Sequence, residues 1–281
     1  MTTIEQSSIA AIISPPPSPS SSDKPQKDLT MPTRHQRIMV FDTETTGLMP
    51  KHKAGTPFPP IEAYPHIMQL SWIVYNVSAN EIEEVVDEYV RIPDSAPISQ
   101  ESIQVHGITR EISKEKGKSI LPLLMKFFAA FMKCDCIVAH NLQFDGEIVR
   151  KEMWRNQKDL EKIAHKDRVS MMCKVFTKKF NADHNVDTFC TMMNTIQFCG
   201  MEFAAKPTPT ETTAPATNNR KKFPRLNELY GKLFDTPLPK DMHNSIVDVL
   251  VCLRCFLKIR GATEMSEDAF LGLIKKHSRG G

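Results

Sequence analysis

Apolar residues run along this chain in two rhythms, as short unbroken blocks and as recurrences every three or four positions. Residues 37–41 form a compact apolar block that turns polar at once, the pattern of a buried strand. Residues 67–77 and 84–92 are two more strand candidates, and no helical pattern separates them, which predicts an antiparallel pair. Ile120, Leu124, Phe127 and Phe131 then recur on one helical face, with Ser119 placed to cap it and Pro122 tolerated in the first turn. Residues 136–140 read as a short buried strand, 142–154 as a helix, and 186–190 as a last strand leading into a helix from Thr191. Leu226–Phe234 and Ser245–Ile259 are further helices, the second with Ile246, Leu250, Leu253 and Leu257 on its core face. The order βββαβαβαα predicts an α/β fold: a mixed sheet of three leading antiparallel strands, then parallel strands, flanked by helices.

Two stretches break the rhythm. Residues 1–33 are dominated by Ser and Pro, and about 203–222 by Thr, Pro, Ala and Asn. Neither has the apolar content to offset ordering entropy, so both are expected to be disordered, one as a tail and one as an insertion. The remainder, 34–281, reads as one domain.

Composition narrows the classes without choosing among them. With 41% hydrophobic and 25% charged residues the chain is ordinary for a soluble protein. A net charge of +3 neither demands nor excludes a nucleic-acid partner. No apolar run approaches the ~18 residues of a membrane span, and the short apolar patch near Met1 has no basic residue before it, so no membrane or secretory route is expected. Of seven cysteines, Cys252 and Cys255 have a zinc-like spacing, but they sit inside a helical pattern with no second ligand pair. Reduced intracellular thiols are the expectation.

The chemistry lies in carboxylates. Asp42 and Glu44 leave the first strand at i and i+2, so they point to the same face. Two like charges so close are costly unless a cation lies between them, and an all-oxygen donor set favours Mg²⁺ or Mn²⁺ over zinc. Asp145 follows His140, Asn141 and Phe144 where a buried strand gives way to a helix. Asp248 lies five residues after His243, and Ser245 with Asp248 has capping-box spacing. For His243 and Asp248 to converge, the histidine must sit on the loop ahead of the helix, because five helical steps would turn the side chains apart. Each cluster alone reads equally as local structure: a strand end, a helix-dipole partner, a cap.

Together and in this order the clusters resemble the DEDDh 3′→5′ exonucleases, the group that includes the proofreading subunits of replicative polymerases. Asp42-Thr43-Glu44, His140-Asn141 with Phe144-Asp145, and His243 with Asp248 match its three motifs. Between them, residues 65–70, 103–109, 190–192 and 223–230 resemble other stretches of the family, giving coverage of roughly 36–261. Departures are the long basic stretch 155–183, the insertion and the tail; none removes a motif residue.

The resemblance implies a ribonuclease-H-like domain and a two-metal mechanism. Asp42, Glu44, Asp145 and Asp248 are then the metal ligands, and His243 the general base. It further implies that Thr45, Leu48, His106, Ile108, Asn141 and Phe144 meet the substrate, a DNA or RNA 3′ end expected to be single-stranded. A proofreading role would require a separate polymerase partner. Two alternatives share the fold: a non-catalytic nucleic-acid-binding module or polymerase accessory subunit, which would not need to keep four mutually repelling acids, and an endonuclease, against which the loop histidine argues.

Overall fold

The computed structural model describes residues 35–202, 221–238, 244–262 and 265–277. The expected tail, almost all of the insertion, and His243 lie outside the described residues.

The apolar block after Gln36 becomes strand β1 (Arg37–Thr45), which pairs antiparallel with β2 (Ile67–Asn76). β2 pairs antiparallel with β3 (Glu81–Tyr89) across a short turn in which Asn80 takes φ 54°. That turn starts the third strand three residues earlier than its apolar content suggests, because pairing of Asn76 with Glu81 sets the register. Helices α1 (Gln100–His106), α2 (Arg110–Lys116) and α3 (Ile120–Phe131) follow. β4 (Cys136–Ala139) then runs parallel to β1, and α4 (Leu142–Arg155) leads away from it. The basic stretch folds as three short helices, α5 (Gln157–Ile163), α6 (Lys166–Met172) and α7 (Lys178–Asp183). β5 (Asp187–Cys190) pairs parallel with β4 and is followed by α8 (Thr191–Asn194) and α9 (Ile196–Cys199). The chain continues through α10 (Leu226–Phe234), α11 (Ser245–Ile259) and α12 (Glu267–His277). The sheet order is β3-β2-β1-β4-β5, the mixed architecture expected from the pattern.

Strand alternation divides the interior in two. Met39 and Phe41 pack with Leu124, Phe127 and Phe131 of α3 and Ile148 and Val149 of α4. Ile38 and Val40 point the other way, onto Leu250, Leu253 and Leu257 of α11. β1 is thus buried on both faces and delivers its last residues to a covered edge.

Glu152 ties α4 to the entry of β2. Its side chain is 3% exposed and accepts from the backbone N–H of Ile67 (3.2 Å) and the amide of Asn156 (3.0 Å), with Arg155 paired to it. Arg155 donates onward to the carbonyls of Ile61 (3.1 Å) and Tyr64 (2.7 Å). Glu152→Ala would leave the Ile67 N–H without its acceptor and take the carboxylate from a half-buried Arg155 that keeps only its carbonyl partners, and is expected to cost about 2–3 kcal/mol. Urea unfolding of the variant beside wild type measures it; a loss below about 1 kcal/mol would mean that water replaces the carboxylate.

Candidate active site

Alternation along β1 decides which helix each catalytic candidate meets. Asp42 and Glu44 continue the face of Ile38 and Val40, toward α11, whose first turn carries Asp248. Oxygen atoms of Asp42, Glu44 and Asp248 all lie within 4.8 Å of one another, the one cluster of potential metal ligands among the described residues. Thr43 faces the opposite way, toward α4, and there it meets Asp145. The Asp145 Oδ1 accepts from the Thr43 hydroxyl (2.7 Å) and the Thr43 N–H (3.2 Å). Asp145 therefore joins through the backbone of β1, not as a fourth member of the close triplet. A cleft of about 340 Å³ joins the two sides: Asp42, Asp145 and Asp248 line it together with His140, Asn141, Arg225, Leu226 and Asn227.

Ser245 does not act as the expected cap. It is the first residue of α11, Asn244 takes the cap position without a side-chain bond, and the Ser245 hydroxyl donates to the carbonyl of Asp42 (3.1 Å). That bond stitches α11 to β1 at the point where Asp248 must meet Asp42. The capping-box reading of Ser245 and Asp248 is corrected accordingly: the tertiary partner won over the local one.

The acids are held in a state of electrostatic tension. Burial raises Asp42 from its ordinary 3.8 to about 6. Glu44 rises from 4.5 to about 10, first by burial and then by the charges of Asp42, Asp248 and Asp145. Asp145 and Asp248 are pushed well above the carboxylate range by burial and by Asp42. Among the described residues no Lys or Arg forms an ion pair with the triplet. Oxygen donors without nitrogen, sulfur or a compensating cation fit a hard divalent ion.

The residues expected to meet substrate fall into two groups. Leu48 is 85% exposed just beyond the acidic edge, Asn141 is exposed at the cleft without making a capping bond, and Phe144 is half-buried against the α3 side of the core. The others serve structure. The Thr45 hydroxyl closes its own turn by donating to the carbonyl of Gly47 (2.7 Å). His106 accepts from the Ile108 N–H at Nδ1 (2.9 Å), so Nε2 carries the proton and donates to the carbonyl of Thr45 (3.1 Å). Burial lowers its pKa and keeps it neutral. Gly107, at φ 71°, ends α1 and lets the ring reach back. Ile108 is 2% exposed, packed with Met68, Ile92 and Ala96, so it supports the wall without lining the cleft.

His140, which the sequence places in the second motif without a role, also lines the cleft. Its Nε2 donates to the carbonyl of Pro224 (3.0 Å) and its Nδ1 accepts from the Thr191 hydroxyl (3.0 Å), with burial lowering its pKa to about 4. It clasps the segment ahead of α10 against the site. No local pattern signals a partner 84 residues away.

Residues 39–256 match the family model described as RNase T, exonuclease. The chain belongs to this exonuclease family. It is a DEDDh-type member of the ribonuclease-H-like superfamily, as the order of its acids implied. The exonuclease fold implies use of divalent metal, and a carboxylate cluster that could hold such an ion is present. Solved structures carry the same fold at low identity. Escherichia coli exonuclease I in complex with a dA16 oligonucleotide superposes with a TM-score of 0.52 at 16% identity, over 87% of this chain and 44% of that one. Its zinc-bound complex with single-stranded DNA gives 0.53 at 17%, over 87% and 43%, and an ExoI/SSB-Ct complex 0.51 at 16%, over 87% and 44%. The exonuclease domain thus spans less than half the length of those chains. No curated protein sequence matches it. Among its described residues no helix is long and apolar enough to cross a membrane.

Proposed function

We propose that this chain is a divalent-metal-dependent 3′→5′ exonuclease that releases nucleoside 5′-monophosphates from the 3′ end of nucleic acid. The observation that carries the reading is the uncompensated triplet Asp42, Glu44 and Asp248, with Asp145 facing the same cleft.

Asp42, Glu44 and Asp248 would hold one cation, and Asp42 with Asp145 a second. Two such ions, Mg²⁺ or Mn²⁺, supply charge neutralisation for the attacking and leaving oxygens of an in-line displacement. The protein's own residues do the rest. His243, five residues before Asp248 in the sequence, accepts the proton of the attacking water, a task suited to an imidazole whose ordinary pKa is about 6.5. The water oxygen bonds to phosphorus, the bond to the 3′ oxygen of the penultimate nucleotide breaks, and the released nucleotide keeps the 5′-phosphate. Leu48, exposed four residues after Glu44 in the chain, and Phe144, the neighbour of Asp145, would press on the terminal bases, a contact that tolerates any base because every base has a stacking face. That favours a single-stranded end, which offers its bases without unpairing.

Digestion of matched DNA and RNA oligonucleotides, labelled at each end in turn, tests this. With Mg²⁺ a 5′-label is expected to give a ladder shortening from the 3′ end, while a 3′-label is released at once as mononucleotide. Immediate mononucleotide from a 5′-label would reverse the polarity, and mid-length products from the outset would make the enzyme an endonuclease.

A further inference from the structure

The cleft presents a problem of charge. Four acids line or adjoin it, and a phosphodiester entering it is itself an anion, repelled unless positive groups are fixed in its path. Part of that positive charge comes from divalent metal. One further source belongs to the protein. Arg225 lines the same cleft as Asp42, Asp145 and Asp248, its side chain is exposed, and it makes no ion pair among the described residues.

We propose that Arg225 is a substrate-binding residue whose guanidinium grips a backbone phosphate of the strand being cut. The inference rests on the reading of this cleft as the place of phosphodiester cleavage. It has a basis of its own in how Arg225 is held. Pro224 is buried, and its carbonyl is clasped by His140 at 3.0 Å. The Arg225 N–H donates to Glu228 Oε2 (2.8 Å), fixing the start of α10. Glu228, the acid that the Arg225 charge reaches, is shared: its other oxygen is already taken by Lys222 Nζ at 2.5 Å. The Lys222 N–H is in turn bound to the carbonyl of Met201 (2.8 Å). The backbone around Arg225 is therefore anchored on both sides, while its exposed side chain, at the wall of the cleft, forms no ion pair among the described residues. Carried on an anchored backbone, a planar fork of donors suits two oxygens of one phosphate better than a lysine would.

The test compares wild type, Arg225→Gln and Arg225→Lys on a 5′-labelled single-stranded oligonucleotide with Mg²⁺, over a salt range of about 50 to 200 mM. Arg225→Gln is expected to raise KM about tenfold, the worth of one charged hydrogen-bonded contact, with a smaller change in kcat. The plot of log kcat/KM against log salt should also become shallower by about 0.7, the signature of one lost phosphate contact on a single strand. Arg225→Lys should restore the slope and only part of the KM. Thermal unfolding should be the same for all three, since the side chain is exposed. An unchanged slope in Arg225→Gln overturns the proposal, even if KM rises, because a merely structural defect does not alter counterion release. Failure of the underlying reading looks different: wild type would then show no metal-dependent digestion that Asp42→Asn removes, and the proposal would fall with it.

Discussion

Asp42→Asn should remove metal-dependent digestion of a 5′-labelled oligonucleotide while making the metal-free protein more resistant to heat. The two effects come from one cause. Asp42 touches both sides of the site: its oxygens lie within 4.8 Å of those of Glu44 and Asp248, and its charge is a cause of the raised pKa of Glu44, Asp145 and Asp248 alike. An amide of the same shape keeps the packing and the Ser245 bond to the Asp42 backbone, but removes the charge that would be shared between cations. Loss of several kcal/mol of charge stabilisation in the transition state corresponds to about a thousandfold or more in rate. Without metal the same change relieves repulsion, worth on the order of 1–2 kcal/mol in stability. Single-turnover digestion measures the first effect; calorimetry in chelator measures the second, and added Mg²⁺ should raise the melting temperature of wild type but not of the variant. An active Asp42→Asn enzyme would remove the metal assignment altogether.

Stability of the metal-free protein should rise as pH falls from about 8 to about 6.5, and saturating Mg²⁺ should reverse that slope. The sign follows from the direction of the shifts. Glu44 is raised from 4.5 to about 10 and Asp42 from 3.8 to about 6, so the folded state binds protons more readily than the unfolded chain. Lowering the pH then favours folding: through Glu44 from about 10 downward, and through Asp42 from about 6 downward, until each ordinary value is reached. One such group contributes at most about 1.4 kcal/mol per pH unit, so the gain over this window is about 1–2 kcal/mol. Below about 6.5 His140 works in the opposite direction. Its pKa is lowered from 6.5 to about 4, so the unfolded chain takes up the proton first and stability falls as pH drops through that range. With Mg²⁺ bound, the carboxylates must be ionised, and lower pH weakens the folded state by competing for the ligands. Urea midpoints at pH 6.5 and 8, in chelator and in Mg²⁺, read all four corners; parallel slopes in the two conditions would show that the acids are not a metal site.

Much of the architecture was legible because β1, in the middle of the sheet, is buried on both sides. Met39 and Phe41 need one apolar layer and Ile38 and Val40 another, and the continuous block of residues 37–41 says so before any coordinates. Helices long enough to repeat an apolar face, as at Ile120–Phe131 and Ser245–Ile259, were equally plain. The short ones were not. α1, α2 and α5 to α7 are only six or seven residues long, too short for periodicity to separate them from loops, and their stability comes from what they pack against. α12 was also missed: Phe270 and Ile274 give it two buried positions, one turn apart, and it is held through Arg254, which is paired with Glu267 at 2.5 Å and stacked over Phe270.

By itself, the amino-acid order determined the fold class, the family and the fact that Asp42 and Glu44 share a face, since strand alternation is a property of local geometry. Only the tertiary structure decided what each acid meets. Thr43 turns toward Asp145 because it occupies the odd face of β1, and Ser245 forgoes its cap because the Asp42 carbonyl lies within reach. The same holds for the residues around them: His106 is spent on the end of β1, Ile108 on a small core, and Arg225 is brought to the cleft by a histidine far away in the chain. These are contacts between residues tens to hundreds of positions apart. Their energies depend on distance in space, which no local spacing of residue types encodes.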